Sequence, residues 1–309
     1  MEEKRKKVSV VIPVFNEEAV LQTLYDRLAK VAEARHEEFE FIFVNDGSTD
    51  GSLNKLIELN SQDKRVCIID LARNFSHQNA LTAGIDEADG DAVILMDADL
   101  EDQPEDILKF LDKWNEGYQV VYAVRRSRKV SLLKSLIFKM FHMLNKKISN
   151  IDMQIAGIFG LMDHVVVEQM KRISEHNRYI PGLRNWIGFN QTGVEVDRGA
   201  RYDAKPRMTL YRLYRLAFDS FTSFSDVLLS LPLHLGIILS ALSLLSIVII
   251  FIFKVFFDIG PWGWPSLVSI ILLLAGLQFF FIGLIGEFIS RIFFEVKKRP
   301  LYIIKRKYR

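Results

Sequence analysis

Asp97 and Asp99 stand two residues apart just after a short apolar run, and that spacing could do chemistry. In extended backbone, residues i and i+2 point to the same face, so both carboxylates can meet one hard divalent cation while a diphosphate supplies further oxygens. A solvated turn at a strand end would present the same pair, so the spacing alone leaves both readings open. Asp46, in the run Asn45-Asp-Gly-Ser-Thr-Asp50, could face the same ligand or simply cap the following helix. Two more polar clusters, Asn16-Glu17-Glu18 and Arg73-Asn74, each follow an apolar run in the same way. His77, His142 and His164 show no metal-ligand spacing and read as structural or surface residues.

Elements that would position these groups can be read from the alternation of signals. Residues 8–14, 39–44, 66–71, 92–96 and 120–124 are short β-rich runs separated by helix-length segments such as 17–33. The pattern predicts a parallel α/β sheet with crossover helices. In such sheets ligands sit beyond the carboxyl ends of the strands, which is where the four polar clusters fall. Four clusters at successive strand ends predict one polar cleft.

The rest of the chain is of another kind. Half of the 309 residues are hydrophobic and 23 are Phe, yet a quarter are charged, so a water-facing part and a very apolar part must coexist. Disordered and fibrous classes are excluded, and 40 basic against 38 acidic residues is too even for a nucleic-acid binder. A single cysteine, Cys67, rules out an intrachain disulfide and fits a reducing compartment. The apolar excess lies in 231–257 and 266–289, each about 25 residues and about 36 Å as a helix, enough to cross hydrocarbon. Their link, 258–265, carries two Trp and no Lys or Arg, while Arg207, Arg212 and Arg215 precede the pair and eight basic residues follow it. The positive-inside rule then keeps both termini and the polar body in the cytosol of a multi-pass protein. The charged start, Met1 to Lys7, has no signal-type apolar stretch behind it. The expected division is a cytosolic domain over 1–200, an amphipathic juxtamembrane segment over 201–230, a two-helix hairpin over 231–290 and a basic tail over 291–309. Residues 131–147 and 208–224 mix basic and bulky apolar residues as membrane-lying helices do, although amphipathic helices also pack on cores.

With these residues in view, a resemblance can be stated. Ile12-Pro-Val-Phe-Asn-Glu-Glu18, Val44-Asn-Asp-Gly-Ser48, Arg73-Asn-Phe75, Ala80-Leu-Thr-Ala-Gly84, Asp97-Ala-Asp-Leu100 and Gly117-Tyr118 resemble a family 2 glycosyltransferase of the GT-A, Rossmann-like fold. Residues 201–207, the two apolar runs, Gly286-Glu-Phe-Ile-Ser-Arg291 and Lys298-Arg-Pro-Leu-Tyr302 resemble more narrowly the bacterial polyprenyl-phosphate glycosyltransferases, relatives of dolichyl-phosphate mannose synthase. The resemblance implies a GT-A domain followed by two C-terminal transmembrane helices in the bacterial inner membrane. It implies inverting transfer of a glucose-type sugar from a nucleotide donor, with uridine diphosphate expected, to undecaprenyl phosphate at the cytoplasmic face with Mg²⁺ or Mn²⁺. Partners so implied are the nucleotide sugar, the lipid phosphate and the bilayer, with no nucleic acid; a homo-oligomer stays open.

By the same resemblance Pro13, Asn16, Glu17, Asp46 and Arg73 belong to the nucleotide side. Asp97 and Asp99 belong at metal and diphosphate, and Arg201 and Arg207 on phosphates near the membrane. Guanidinium forks suit phosphate oxygens, although anionic lipid headgroups could attract the same two arginines. Three departures stand out. Glu101 replaces a usual Gln and Ala204 a usual Gly, while Ala156-Gly-Ile-Phe-Gly-Leu161 carries Ile158 where relatives have an acid and Gly160 where they have Arg. The alternatives are therefore a catalytically weakened paralogue that binds donor or lipid without efficient turnover, and a processive polysaccharide synthase. Arg184-Asn-Trp186 is only a faint echo of the acceptor motif that the latter would need.

Overall fold

The computed structural model describes residues 5–125, 157–176, 178–197 and 264–309, together with Leu245, Ile252 and Phe256 as single residues. It divides into two units, residues Met1–Leu213 with Arg299–Arg309, and residues Tyr214–Lys298.

The first unit is built on an eight-stranded sheet. Its strands are β1 (Lys7–Val14), β2 (Glu38–Asn45), β3 (Val66–Leu71), β4 (Ala92–Leu95), β5 (Val120–Arg125), β6 (Gly160–Asp163), β7 (Gln191–Val196) and β8 (Ile304–Tyr308). Helices α1 (Glu18–Glu33), α2 (Ser52–Gln62), α3 (His77–Glu87) and α4 (Ile107–Asn115) follow β1 to β4 in turn, and α5 (His164–Arg172) and α6 (Ile180–Trp186) lie between β6 and β7. Apolar residues run almost unbroken through β1 because both of its faces are covered. Val8, Val10, Ile12 and Val14 join the core cluster that holds Leu21, Leu24 and Leu28 of α1, Leu56 and Leu59 of α2, and Phe110 of α4. Each helix supplies one apolar stripe at three- and four-residue spacing, as in Leu21, Leu24 and Leu28, and that stripe packs it on the sheet.

Strand order is β7-β5-β6-β4-β1-β2-β3-β8. The chain lays down β1, β2 and β3 outward in parallel, then returns to the other side of β1 for β4. That return is a topological switch point, and it opens a crevice beyond the carboxyl ends of β1 and β4.

Two strands correct the expectation of an all-parallel sheet. β6 lies antiparallel between β4 and β5, and β8 pairs antiparallel with β3 at the opposite edge. β6 has only four residues, too short to show a period, and its entry depends on a missing side chain. A Cβ on Gly160 would lie 2.5 Å from the Val121 carbonyl oxygen. β8 reads Ile-Lys-Arg-Lys-Tyr, with charge dense enough to pass for a tail. Such charge suits an edge strand, where lysines discourage further pairing.

The second unit is described chiefly by α7 (Trp264–Lys297), one helix of 34 residues. Among the described residues no helix is long and apolar enough to cross a membrane. The α7 sequence carries no Asp, Glu, Lys or Arg from 264 to 286, and Ile270, Ile271, Leu274, Ile282, Ile285 and Ile289 are exposed. The other expected span, 231–257, lies outside the described residues except for Leu245, Ile252 and Phe256. The expected amphipathic helices over 131–147 and 208–224 lie outside them altogether.

Candidate active site

Loops leaving β1 to β4 converge on a cleft of about 260 Å³. Pro13, Val14, Phe15 and Glu17 line it from the first loop, Asp46 from the second, Asn74 and His77 from the third, and Asp97, Ala98 and Asp99 from the fourth. Each loop turns through one residue with left-handed backbone: Asn16 at φ 57°, Gly47 at 67°, Ser76 at 86° and Leu100 at 60°. For the three that are not glycine this costs on the order of 1 kcal/mol each, which surrounding bonds must offset.

The bonds that do so run from loop to loop. The Thr49 amide donates to Asn16 Oδ1 at 2.8 Å, and the Asn16 amide donates to Ser48 Oγ at 3.1 Å. The Asp46 amide donates to the Val14 carbonyl at 2.9 Å, and Asp46 Oδ1 accepts the Phe75 amide at 2.7 Å. Gly47 lies flat on the third loop, where a Cβ would meet Arg73 C and Asn74 N at 2.6 Å. Burial pushes the Asp46 carboxyl above its ordinary range, although the Phe75 and Ser76 amides pull the other way.

Asp97 and Asp99 reach the cleft from one loop and Asp46 from another. Asp99 Oδ1 accepts the Glu101 amide at 3.1 Å, which fixes one of its oxygens. His77 Nε2 lies 3.2 Å from Asp97 Oδ1, with the His77 side chain still 45% exposed. Partial burial works against its protonation, but the bond to Asp97 and the charges of Asp97, Asp46 and Asp99 outweigh it and hold the imidazole pKa above its usual value.

Of the residues singled out by sequence, the cleft gathers Pro13, Glu17, Asp46, Asp97 and Asp99. Asn16 stands behind it as a brace between loops. Arg73 is exposed, with its guanidinium carbon 4.6 Å from the Phe75 ring centre and its side chain outside the cleft lining. Arg201 and Arg207 lie outside the described residues. Asn74 lies in the lining, as its place in the third strand-end cluster predicts, whereas sequence reasoning missed Phe15 and His77. It tested His77 only for metal-ligand spacing, whereas the telling signal was its place at the start of the helix after a strand-end cluster. His164, by contrast, is exposed at the start of α5, as a surface residue should be, and His142 is outside the described residues.

Ile158 and Gly160, which form one of the three departures, lie at the entry to β6. Arg184 of α6 is only 1% exposed there, donating from Nη2 to the Gly157 carbonyl at 2.9 Å and from Nη1 to the Ile158 carbonyl at 3.3 Å. Burial pulls its guanidinium down to about 10. A Cβ at 160 would sit 3.0 Å from Arg184 Nη1, so this guanidinium occupies the room a side chain at 160 would need.

A Rossmann-like sheet whose strand-end loops build an aspartate-lined cleft defines a GT-A glycosyltransferase. Residues 9–160 match the model of glycosyl transferase family 2, and the chain belongs to that family. It is 44% identical to the glycosyltransferase YkcC of Bacillus subtilis, over 97% of this chain and 94% of that one. It is 37% identical to the bactoprenol glucosyl transferase of Shigella phage SfII, over 98% of this chain and 99% of that one. Among solved structures it is similar in fold to glucosyl-3-phosphoglycerate synthase from Mycobacterium tuberculosis in complex with Mn²⁺, uridine-diphosphate-glucose and phosphoglyceric acid. That likeness has a TM-score of 0.50 at 18% identity and covers 71% of this chain and 79% of the other.

Proposed function

We propose that this enzyme transfers a glucose-type sugar from a uridine-diphosphate donor to undecaprenyl phosphate, with inversion, at the cytoplasmic face of the bacterial inner membrane. The observation that carries the proposal is the cleft at the switch point, where Asp46, Asp97 and Asp99 meet in a chain similar along nearly its whole length to a bactoprenol glucosyl transferase.

The donor set suits a divalent cation. Asp97 and Asp99 offer hard carboxylate oxygens, and among the described residues no group of three His, Cys, Asp or Glu could hold a metal unaided. A cation held by one or two carboxylates and completed by substrate phosphates is the mode that Mg²⁺ favours and Mn²⁺ accepts. When bound, it would neutralise charge gathering on the leaving diphosphate. Pro13, Asn16, Glu17 and Asp46 take the nucleotide side, with Arg73 at its margin, and Arg201 and Arg207 clamp phosphate.

The acceptor oxygen bonds to the anomeric carbon as the bond from that carbon to the diphosphate oxygen breaks, and the nucleoside diphosphate leaves with the electron pair. A phosphate monoester has a second pKa near 6, so the acceptor is already largely dianionic at neutral pH and needs no protein base. An apolar Ile158 is compatible with that chemistry. The apolar runs 231–257 and 264–286 associate the enzyme with the bilayer, and the positive-inside bias keeps the catalytic unit cytosolic.

Membrane vesicles carrying the enzyme, undecaprenyl phosphate and labelled nucleotide sugars test this directly. Transfer to the lipid phosphate and none to the free polyprenol is the expected result. Silence with every donor in saturating Mg²⁺ and Mn²⁺ overturns it. Ile158 and Gly160 favour one second reading, a weakened paralogue, and that reading gains if uridine diphosphate binds, no product forms and Ile158→Asp turns over.

A further inference from the structure

We infer that the C-terminal strand is a positioning element for the donor side of the cleft, an inference that rests on the proposed reading of that cleft. β8 does more than cover an edge. Pairing runs from Ile68 opposite Tyr308 to Leu71 opposite Ile304, and it continues beyond β3, where the Ala72 amide donates to the Ile303 carbonyl at 2.9 Å. Ala72 opens the loop that carries Asn74 and leads to His77, both in the cleft lining. At the far end of α3 the Tyr302 hydroxyl donates to Asp86 Oδ2 at 2.8 Å, and Lys307 Nζ donates to Glu87 Oε1 at 2.6 Å. The segment thus grips the β3-loop-α3 unit at both ends and leaves the cleft-lining stretch spanned between two fixed points.

A second set of bonds carries the grip inward. Lys305 Nζ lies 3.9 Å from Asp70 Oδ2, at a register irregularity between Asp70 and Leu71. Asp70 is 3% exposed and takes Asn45 Nδ2 on its other oxygen at 2.7 Å. Asn45 Oδ1 accepts the Ser48 amide at 3.2 Å, and Ser48 Oγ accepts the Asn16 amide. Asp46 follows Asn45 in the same loop and holds the Phe75 amide of the third loop. Detaching β8 therefore loosens the two loops that carry Asp46, Asn74 and His77 before it reaches the fourth loop, which carries Asp97 and Asp99. Loss of such positioning weakens donor binding more than it slows the transfer of bound donor.

The test compares the full chain with one lacking 303–309, and with Tyr302→Phe, which removes a single hydroxyl and keeps the strand. Amide exchange is expected to rise about tenfold or more at Ala72, Phe75 and Ser48 and to stay unchanged at Leu24 and Leu28 of α1. The dissociation constant for uridine diphosphate with Mn²⁺, and the KM for the nucleotide sugar, are expected to rise about tenfold on truncation with kcat within about twofold, and about threefold for Tyr302→Phe. A synthetic peptide of residues 302–309 should restore protection to the truncated chain. Should the truncated chain fail to fold, Tyr302→Phe decides alone by the same exchange and binding measurements. Unchanged exchange at Phe75 and Ser48, or a kcat loss with KM preserved, overturns the inference. Exchange is read without substrate, so a parent enzyme that transfers no sugar would refute the proposed function and still leave the brace to be judged.

Discussion

His77 Nε2 approaches Asp97 Oδ1 to 3.2 Å from the first residue of α3, so the third loop reaches across the cleft to the carboxylate pair of the fourth. The contact ties one wall of the site to the other.

In the metal-free enzyme this contact carries a pH signature. The folded state raises the His77 pKa above the ordinary imidazole value of about 6.5, so the imidazolium contributes stability below that value, and the contribution fades as pH climbs through the folded value. The gap in melting temperature between the parent and His77→Ala should be widest near pH 5.5 and should narrow by about pH 8.5. A gap that widens toward alkaline pH would contradict the assignment.

Asp99→Asn should fold as the parent does, because Asp99 is half-buried at the lining of an open cleft and Asn keeps an oxygen for the Glu101 amide. Turnover in saturating Mg²⁺ or Mn²⁺ should fall at least about a hundredfold. Activity like that of the parent would remove Asp99 from the metal and diphosphate site.

Two substitutions at Asp46 should separate structure from binding. Asp46→Asn keeps an oxygen for the Phe75 amide, so its melting temperature should stay near that of the parent while nucleotide affinity drops. Asp46→Ala leaves that amide without its acceptor, at a cost of about 1–3 kcal/mol. Thermal melts beside uridine-diphosphate titrations read both effects.

Gly160→Ala tests whether β6 enters the sheet only because position 160 lacks a side chain. Its Cβ would meet the Val121 carbonyl oxygen at 2.5 Å and Arg184 Nη1 at 3.0 Å, and the first of these is backbone that cannot swing aside. A loss of about 2 kcal/mol or more in denaturant unfolding is expected, and Gly160→Arg should fare worse. A neutral Gly160→Ala would mean that the strands part easily.

Much of the cleft could be read from the sequence because parallel strands buried on both faces announce themselves as unbroken apolar runs, and ligand-facing loops must follow their carboxyl ends. Asp46, Asp97 and Asp99 were visible on those terms. His77 was hidden because its role depends on distance to Asp97, which lies twenty residues further along the chain. β6 was hidden because a four-residue strand has no period to detect, and its place depends on Gly160 and on Arg184 from a later helix. β8 was hidden because its basic run 305–307 looks like a solvated tail until Asp70, the partner of Lys305, and Glu87, the partner of Lys307, are in place.

The position of β8 has a consequence for the order in which the molecule is made. Strands β1 to β7 are complete once residue 196 has left the ribosome, yet the strand that closes the β3 edge is supplied by 304–308, more than a hundred residues later. Until then β3 offers unpaired amides and carbonyls to any passing strand, the condition under which nascent sheets aggregate. The closing strand is synthesised only after α7. A nascent chain that stalls in the apolar helix would therefore carry a cleft with every acid in place and its third loop unfastened.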